Sequence, residues 1–416
     1  MGTGLVVGLS VLAGGVVATA GGLLLRGRKS KSPLSRRLAS SRHGSSGAGG
    51  VMRALTRLIT RRPRSFYDEL PLVKLSNKRG MEVHVSALGA AITKMVVPDK
   101  CGRGADVVLG YKDLETYATG EPVTYFGVVV GRCANRIANG KMTFNGTKHQ
   151  LTCNNGPNHL HGGDMGLHKR VFDVSLIKGD DYDGATLTYM SPDGEEGYPG
   201  NLFISVTYKL RTSLNELECS ITATTDAATP VNIAQHSYFN LAGHASGDIL
   251  CHELTIHGDH YTPVTASLIP TGAIVPVAGT PFDFTKPHAI GGRIEEAGGY
   301  DHNYVLFGMG PQARFVVQSN GQASTKPKLA AVLKDPKSGR VMQVSTTAPG
   351  MQFYSGNFLD GVAGKGGACY AKHGGLCLET QAFPDSVNQP DFPGVLLQPG
   401  EVYRHHIAYK FGLASK

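Results

Sequence analysis

One acidic residue near the C-terminus stands in a setting suited to proton transfer. The stretch LETQAFPDSVNQPDFP, residues 378–393, contains Glu379 beside a threonine, a glutamine and aromatic residues. Earlier in the chain, QHSYFNLAG (235–243) places His236 in a similar polar and aromatic setting. A carboxylate and an imidazole that converge in a fold can act as general base and general acid. The two segments therefore predict an enzyme that moves protons.

Four further segments carry polar side chains beside glycines or at strand ends. They are GRCANRIANGKMTFNG (131–146), NGPNHLHGG (155–163), GYDHN (299–303) and GMQFYSGN (350–357). Asparagine, glutamine, aspartate, histidine and arginine are directional donors or acceptors, which suits them to sugar hydroxyls. The candidate binding residues are Asn135, Arg136, His161, Asp301 and Gln352, with His159 as a second histidine beside His161.

Other kinds of site find little support in the motifs. A zinc site built from His159, His161 and His236 is an alternative, but the ligand spacing is not diagnostic, and we expect no metal. The sequence has no phosphate-binding Walker loop, no dinucleotide-binding glycine fingerprint and no nucleophile elbow. The candidates therefore remain the acid–base pair and its polar neighbours.

The segments that must position these residues show the alternation of β-strands. The chain has 55 glycines, no tryptophan and only 18% charged residues, a composition that favours β architecture. Residues 202–210, 216–225 and 401–411 alternate apolar and polar side chains, and Asn145-Gly146 predicts a tight hairpin. Helical periodicity is confined to short stretches at 112–119 and 290–297. We therefore predict one large antiparallel β-sandwich over residues 70–413.

The basic net charge belongs to the N-terminal region. Of the 41 lysines and arginines, 12 lie between residues 26 and 64, before the first acidic residue, Asp68. The remainder is slightly acidic, so a nucleic-acid-binding body is not expected. The seven cysteines are scattered without a paired motif, which predicts buried free thiols in a reducing compartment.

The first 66 residues form an extension with membrane or targeting character. Residues 4–25 carry no charge and are followed by a basic run, and this length would cross a bilayer as a helix. Residues 51–62 predict a basic amphipathic helix. We expect a transmembrane anchor that holds the catalytic domain on the cytoplasmic side, with membrane contact through residues 4–62. A cleaved transit peptide for a plastid or mitochondrion, and a disordered leader on a cytoplasmic enzyme, are the alternatives.

Seven segments, taken in order, resemble motifs of the aldose 1-epimerase (galactose mutarotase) family. They are GRCANRIANGK, NHLHGG, SPDGEEGYPG, HSYFNLAG, GYDHN, MQFYSGNFLDG and LETQAFPDSVNQPDFP. The resemblance covers residues 70–413 and implies a large antiparallel β-supersandwich with a shallow sugar cleft and no metal or organic cofactor. The extension of residues 1–66 is a departure from the family core.

The resemblance also implies roles for the candidate residues. Glu379 would be the general base and His236 the general acid, and mutual attraction is expected to lower the pKa of Glu379 and raise that of His236. The activity would be interconversion of the α and β anomers of free hexoses such as glucose and galactose, by a monomer or weak dimer. The implied sugar-binding residues are Asn135, Arg136, His161, Asp301 and Gln352, and His161 would also polarise the ring oxygen.

Three alternative functions remain open from the sequence. A hexose-6-phosphate 1-epimerase would need a cluster of arginines or lysines, and the motifs supply Arg136 with Arg132 nearby. A non-catalytic sugar sensor would use the same pocket. A membrane-surface scaffold would rely on the basic leader.

Overall fold

Antiparallel strands are the main regular elements in the chain that the computed structural model describes, namely residues 65–307, 316–318 and 326–414. In chain order the strands are β1 Leu72–Ser76, β2 Glu82–Ser86, β3 Ile92–Pro98, β4 Gly104–Asp106, β5 Val129–Val130, β6 Arg136–Ile137, β7 Lys141–Phe144, β8 Thr147–Gln150, β9 His159–Leu160, β10 Asp173–Lys178, β11 Tyr182–Ser191, β12 Leu202–Arg211, β13 Glu216–Thr225, β14 Thr229–Pro230, β15 Ala234–Gln235, β16 Tyr238–Phe239, β17 Glu253–Ile256, β18 His260–Thr262, β19 Val275–Pro276, β20 His288–Ala289, β21 Asp301–Val305, β22 Val316–Gln318, β23 Lys328–Lys334, β24 Arg340–Thr346, β25 Gly350–Tyr354, β26 Val362–Ala363, β27 Cys369–Tyr370, β28 Leu376–Gln381, β29 Leu396–Leu397 and β30 Glu401–Leu413.

Helices are short in the described ranges. The two α-helices are Leu114–Thr119 and Ile294–Ala297. The 3₁₀ turns are Phe66–Glu69, Ala138–Gly140, Leu167–Lys169, Glu195–Gly197, Ile290–Gly292 and Lys365–Gly367. The predicted short helices at 112–119 and 290–297 are therefore confirmed, with an interruption in the second.

The strands form three larger antiparallel sheets. A four-stranded sheet has the order β1-β2-β3-β4, and a ten-stranded sheet has the order β10-β11-β12-β13-β30-β24-β23-β17-β20, with β22 also paired to β30. A six-stranded sheet has the order β16-β28-β25-β21-β18-β19. One hydrophobic cluster includes inward residues of all three sheets, among them Val83, Val206 and Phe353. The predicted all-β class is confirmed.

The strands predicted from alternation are present with the expected inward faces. In β12 the side chains of Ile204, Val206 and Tyr208 are buried, while their neighbours in sequence are more exposed. The register pairs Val206 with Ile221 of β13, so apolar residues lie opposite one another across the ladder. The hairpin of β7 and β8 turns at Asn145-Gly146, both with positive φ, as a type I′ turn requires.

The same alternation gives the six-stranded sheet two different faces, one in the hydrophobic core and one at the polar site. In β25, Met351 and Phe353 belong to the hydrophobic core, whereas Gln352 and Tyr354 face the other way. In β28, Leu376 and Leu378 join the core and Glu379 lies on the opposite face. Because successive side chains of a strand point to opposite faces, one sheet builds the core and the floor of a polar site.

The predicted membrane anchor is wrong. Across the described ranges no helix is long and apolar enough to cross a membrane, and the segments 4–25 and 51–62 that suggested membrane contact lie outside those ranges. An uncharged run meets the length criterion for a span, but its glycines each disfavour a helix by about 1 kcal/mol relative to alanine. The lack of charge was therefore not enough to predict a spanning helix. The predicted transmembrane helix is wrong, and so is the membrane-anchored localisation that depended on it. The boundary between residues 1–66 and 70–413 stays a prediction.

The cysteines are free, but not all of them are buried. Cys133, Cys219 and Cys377 are buried, as expected. The other four, Cys101, Cys153, Cys251 and Cys369, are exposed. The exposed thiols lie in turns, in an irregular loop and at the start of β27, which the scattered spacing of the cysteines did not reveal.

Candidate active site

The predicted acid–base pair is brought together by β28, which carries Glu379, and by the short connection between β15 and β16, which carries His236. Nε2 of His236 is 3.5 Å from Oε1 of Glu379, and both side chains are buried. Oε2 of Glu379 has no hydrogen-bond partner within the described part of the chain. The predicted convergence of the two segments is therefore present in the fold.

Burial sets the protonation of this pair. It raises the pKa of the Glu379 carboxyl well above its usual range, and the Asp301 carboxylate raises it further. Burial also lowers the pKa of His236 to about 4. The expected shifts from mutual attraction are therefore wrong for the free site, because desolvation disfavours both charges more than their attraction favours them. Burial in the free site therefore disfavours the charged form of each group.

His161 occupies a sharp bend after β9. Its φ is 51°, in the left-handed region, and Gly162 and Gly163 follow it with φ of 92° and 96°. The backbone N–H of Asn135 donates to Nδ1 of His161 at 3.2 Å, and the rings of His161 and His236 lie 5.0 Å apart. Burial lowers the pKa of His161 well below its ordinary value, so a neutral imidazole is present there.

Arg136 and Asp301 form a second polar pair. Nη1 of Arg136 is 4.0 Å from Oδ2 of Asp301, and its Nε donates to Oδ1 of Asn155 at 3.0 Å. Nε2 of Gln352 donates to Oδ1 of Asp301 at 2.6 Å. Burial raises the pKa of Asp301, while Arg136 and the Gln352 hydrogen bond oppose that shift. The Gln352 amide therefore holds the Asp301 carboxylate in place through this hydrogen bond.

These side chains surround a cavity of about 310 Å³. The lining residues are Pro122, Val123, Thr124, Tyr125, Asn135, Arg136, Asn155, Leu160, His161, His236, Tyr238, Asp301, Tyr354, Phe358, Leu359 and Glu379. Six of the seven residues proposed from the sequence are in this set, and Gln352 is not. The volume and the mixture of polar and aromatic groups suit a small polar ligand.

Comparison with known proteins identifies the family. The family model described as Aldose 1-epimerase matches residues 71–410. The chain belongs to the aldose 1-epimerase family. It is 46% identical over 337 residues to the galactose mutarotase of Mus musculus, covering 80% of this chain and 92% of that protein. It is 36% identical over 348 residues to the aldose 1-epimerase of Escherichia coli, covering 82% of this chain and 94% of that protein.

Solved structures of aldose 1-epimerase relatives share the fold. A homologue from C. elegans superimposes with a TM-score of 0.73 at 29% identity and covers 83% of this chain and all of that chain. Galactose 1-epimerase from Lactobacillus acidophilus gives a TM-score of 0.69 at 28% identity, with 86% of this chain and 98% of that chain covered. The family, the β-supersandwich and the enzyme class predicted from the sequence are confirmed.

The histidines of this epimerase-family site do not suit metal coordination. His161, His236 and Glu379 hold potential ligand atoms within 4.8 Å of one another. The Asn135 N–H on Nδ1 of His161 leaves the ring proton on Nε2, which then has no lone pair for a metal. His159 is occupied by the Thr152 carbonyl at 2.6 Å and by the Tyr198 hydroxyl at 2.7 Å. The alternative of a zinc site built from His159, His161 and His236 is therefore not supported by these hydrogen bonds.

Several lining residues escaped the sequence analysis. Asn155 begins the NGPNHLHGG segment, so its motif was visible although its bond to Arg136 was not. Tyr125 precedes the GRCANR segment and carried no polar signal. Its ring lies 4.7 Å from that of His161 and 5.8 Å from that of His236. A contact of this kind depends on the path of the loop and leaves no mark in the spacing of residues.

Proposed function

We propose that this protein is a mutarotase that interconverts the α and β anomers of free hexoses such as glucose and galactose. The observation that carries the proposal is the buried pair of His236 and Glu379, 3.5 Å apart at the edge of a polar cavity. Relatives called galactose mutarotase, 46% identical to this chain, support the same reaction.

The reaction requires two proton transfers on one face of the sugar. The Glu379 carboxylate takes the proton of the C1 hydroxyl, and the O–H electrons form the C1 carbonyl. The C1–O5 bond breaks, and its electron pair takes a proton from Nε2 of His236. The C1–C2 bond then rotates, O5 attacks the other face of the carbonyl, and each proton returns by the reverse step. Each positioned transfer contributes typically 10²–10⁴-fold.

The directions of the two pKa shifts are compatible with this sequence of proton transfers. A carboxylic acid beside an imidazole holds the same number of protons as a carboxylate beside an imidazolium, so the two groups titrate as a pair. The raised pKa of Glu379 makes its carboxylate a stronger base, and the lowered pKa of His236 makes its imidazolium a stronger acid. Both shifts favour transfer to and from weakly acidic sugar oxygens.

The remaining polar residues would hold the sugar hydroxyls. Arg136 and Asp301 offer donors and an acceptor side by side, and Asn135 and His161 line the same cavity. His161, with its ring proton on Nε2, is placed to donate to a sugar oxygen. Gln352 would act through Asp301, to which it donates.

A hexose phosphate fits the cavity less well. Arg136 is the one arginine or lysine among the described residues that line it, and it is already engaged with Asp301 and Asn155. Arg132 donates instead to Ser191 and to the carbonyls of Pro192 and Pro199. A free hexose is therefore the substrate that we propose, turned over by a monomer or weak dimer whose catalytic domain is residues 70–413.

A polarimetric assay tests the proposed function directly. Freshly dissolved α-glucose and α-galactose should approach their equilibrium rotations faster with the protein than without it. With a hexose 6-phosphate, the protein should accelerate the approach to the equilibrium rotation only slightly. If the protein binds these sugars but leaves the rate of rotation change unaltered, it is a sugar sensor and the mutarotase proposal fails.

A further inference from the structure

Tyr125 is a lining residue to which the acid–base scheme assigns no task. It belongs to the segment 122–125 that forms one wall of the cavity. Its φ is 58°, in the left-handed region that non-glycine residues rarely adopt and that aromatic residues disfavour. Strained backbone of this kind persists where the surroundings enforce it, and it concentrates at functional sites.

The ring of Tyr125 touches three imidazoles. Its centroid lies 4.7 Å from that of His161, 4.8 Å from that of His168 and 5.8 Å from that of His236. The ring planes of Tyr125 and His236 are tilted by only 33°. One side chain therefore contacts both histidines of the site and a third, buried histidine behind them.

The backbone around Tyr125 is tied to the backbone of His236. The N–H of Gly127 donates to the carbonyl of His236 at 2.9 Å, and the N–H of His236 donates to the carbonyl of Val128 at 2.9 Å. Nε2 of Gln235 donates to the Gly127 carbonyl at 2.8 Å. The wall segment and His236 thus share one hydrogen-bonded frame.

We propose that Tyr125 is a positioning residue whose ring fixes the planes of His161 and His236 relative to Glu379. The ring extends from a left-handed residue and lies against the imidazoles in tilted and edge-on contacts. Burial raises the pKa of Tyr125, so its phenol stays neutral, and the contacts of the ring rather than a proton transfer carry the role. Misplacement of a reacting group by about 1 Å can reduce turnover by about 100-fold. The inference rests on the proposed mutarotase function.

Three substitutions test the role of the ring. Tyr125→Phe keeps the ring and should retain kcat within about threefold, whereas Tyr125→Leu should lower kcat by about 10- to 100-fold with a much smaller change in KM. Tyr125→Asn removes the ring but tolerates the positive φ, so it provides a folded variant if Tyr125→Leu is unstable. Wild-type kcat in Tyr125→Leu and Tyr125→Asn would overturn the proposal.

A matched control separates positioning from packing. Tyr117 is buried nearby against Tyr111 at 5.2 Å and is not among the residues lining the sugar cavity. Tyr117→Leu should lower the melting temperature without changing kcat of the folded protein. If it lowers kcat as much as Tyr125→Leu, general packing explains both effects and the proposal fails.

A second readout does not depend on turnover. With isotope-labelled histidine, the ring resonances of His161 and His236 should shift in Tyr125→Leu and stay in place in Tyr117→Leu. Unchanged histidine resonances in Tyr125→Leu would refute the positioning role. If the resonances shift as expected but the wild-type protein does not accelerate mutarotation, the proposed function fails and the ring contact stands.

Discussion

His236 lies against Glu379 just before the start of β16, with its Nε2 atom 3.5 Å from Oε1 of Glu379. Tyr238 of β16 pairs with Cys377 of β28; His236 comes two residues before Tyr238, and Glu379 comes two residues after Cys377. Gln352 of β25 is in turn paired with Glu379. The proposed base is therefore adjacent both to the proposed acid and to the amide that donates to Asp301.

Replacing Glu379 with glutamine should abolish most turnover. The amide keeps the volume of the side chain but cannot accept the C1 proton, so kcat should fall by about 10²–10⁴-fold while sugar binding remains measurable. Polarimetry and calorimetry measure the two quantities. Glu253→Gln is a suitable control, because Glu253 pairs with Lys334 on the ten-stranded sheet. Activity near wild type in Glu379→Gln would refute the assignment.

Replacing Gln352 with leucine should weaken sugar binding. The change removes the 2.6 Å hydrogen bond that opposes the burial-induced rise in the pKa of Asp301. We expect KM to rise about tenfold, equivalent to about 1.4 kcal/mol, and the rise to steepen at acid pH as Asp301 is protonated. Gln343→Leu, at an exposed position of β24, should change neither constant. An unchanged KM in Gln352→Leu would show that Asp301 needs no such support.

Stability should fall as the solution becomes acidic. Burial lowers the pKa of His168 and His405 to about 3, and that of His236, His252 and His302 to about 4, from an ordinary value of 6.5. The unfolded chain binds protons first, so this stability is complete above pH 6.5 and is lost as the pH falls towards 4. The raised pKa values of Glu379 and Asp301 act in the opposite direction, but five histidines outnumber them.

Calorimetric melting temperatures between pH 4 and pH 7 measure this effect. His302→Phe should flatten the curve, because His302 lies against Phe282 at 4.4 Å and a phenyl ring would fill the same apolar site without titrating. A melting temperature that does not change over this range would contradict the buried neutral histidines.

Replacing Arg132 with methionine should destabilise the fold. The buried guanidinium donates to the Ser191 hydroxyl at 2.8 Å and to the carbonyls of Pro192 at 2.8 Å and Pro199 at 3.0 Å. Losing these bonds should lower the free energy of unfolding by about 3–5 kcal/mol, as measured by urea denaturation. Arg103→Met is the control, because the Arg103 side chain is 78% exposed. It should cost less than about 1 kcal/mol, and equal losses in both variants would refute the argument.

Much of the fold could be predicted from local pattern. The strands β12, β13 and β30 follow from alternation, because a period of two places every second side chain in the core. The hairpin at Asn145-Gly146 follows from the ease with which both residues adopt positive φ. The membrane anchor was wrong, because an uncharged run alone does not make a spanning helix.

Parts of the site depended on long-range packing. His159 and His161 are two residues apart in sequence, yet only His161 lines the cavity, because the backbone turns sharply at that residue. Gln352 lies behind Asp301, a position set by the pairing of β21 with β25. Tyr125 reaches the histidines through a loop whose left-handed residue no motif marks.

The sequence by itself determined the family and the strand pattern and predicted which residues act as acid and base, because motifs and alternation are local properties of the chain. Only the tertiary structure decided how close the two groups lie and in which direction their pKa values shift. Enclosing Glu379 and His236 away from water raises the pKa of one and lowers that of the other. That shift depends on how completely residues distant in sequence exclude solvent, which no local pattern encodes.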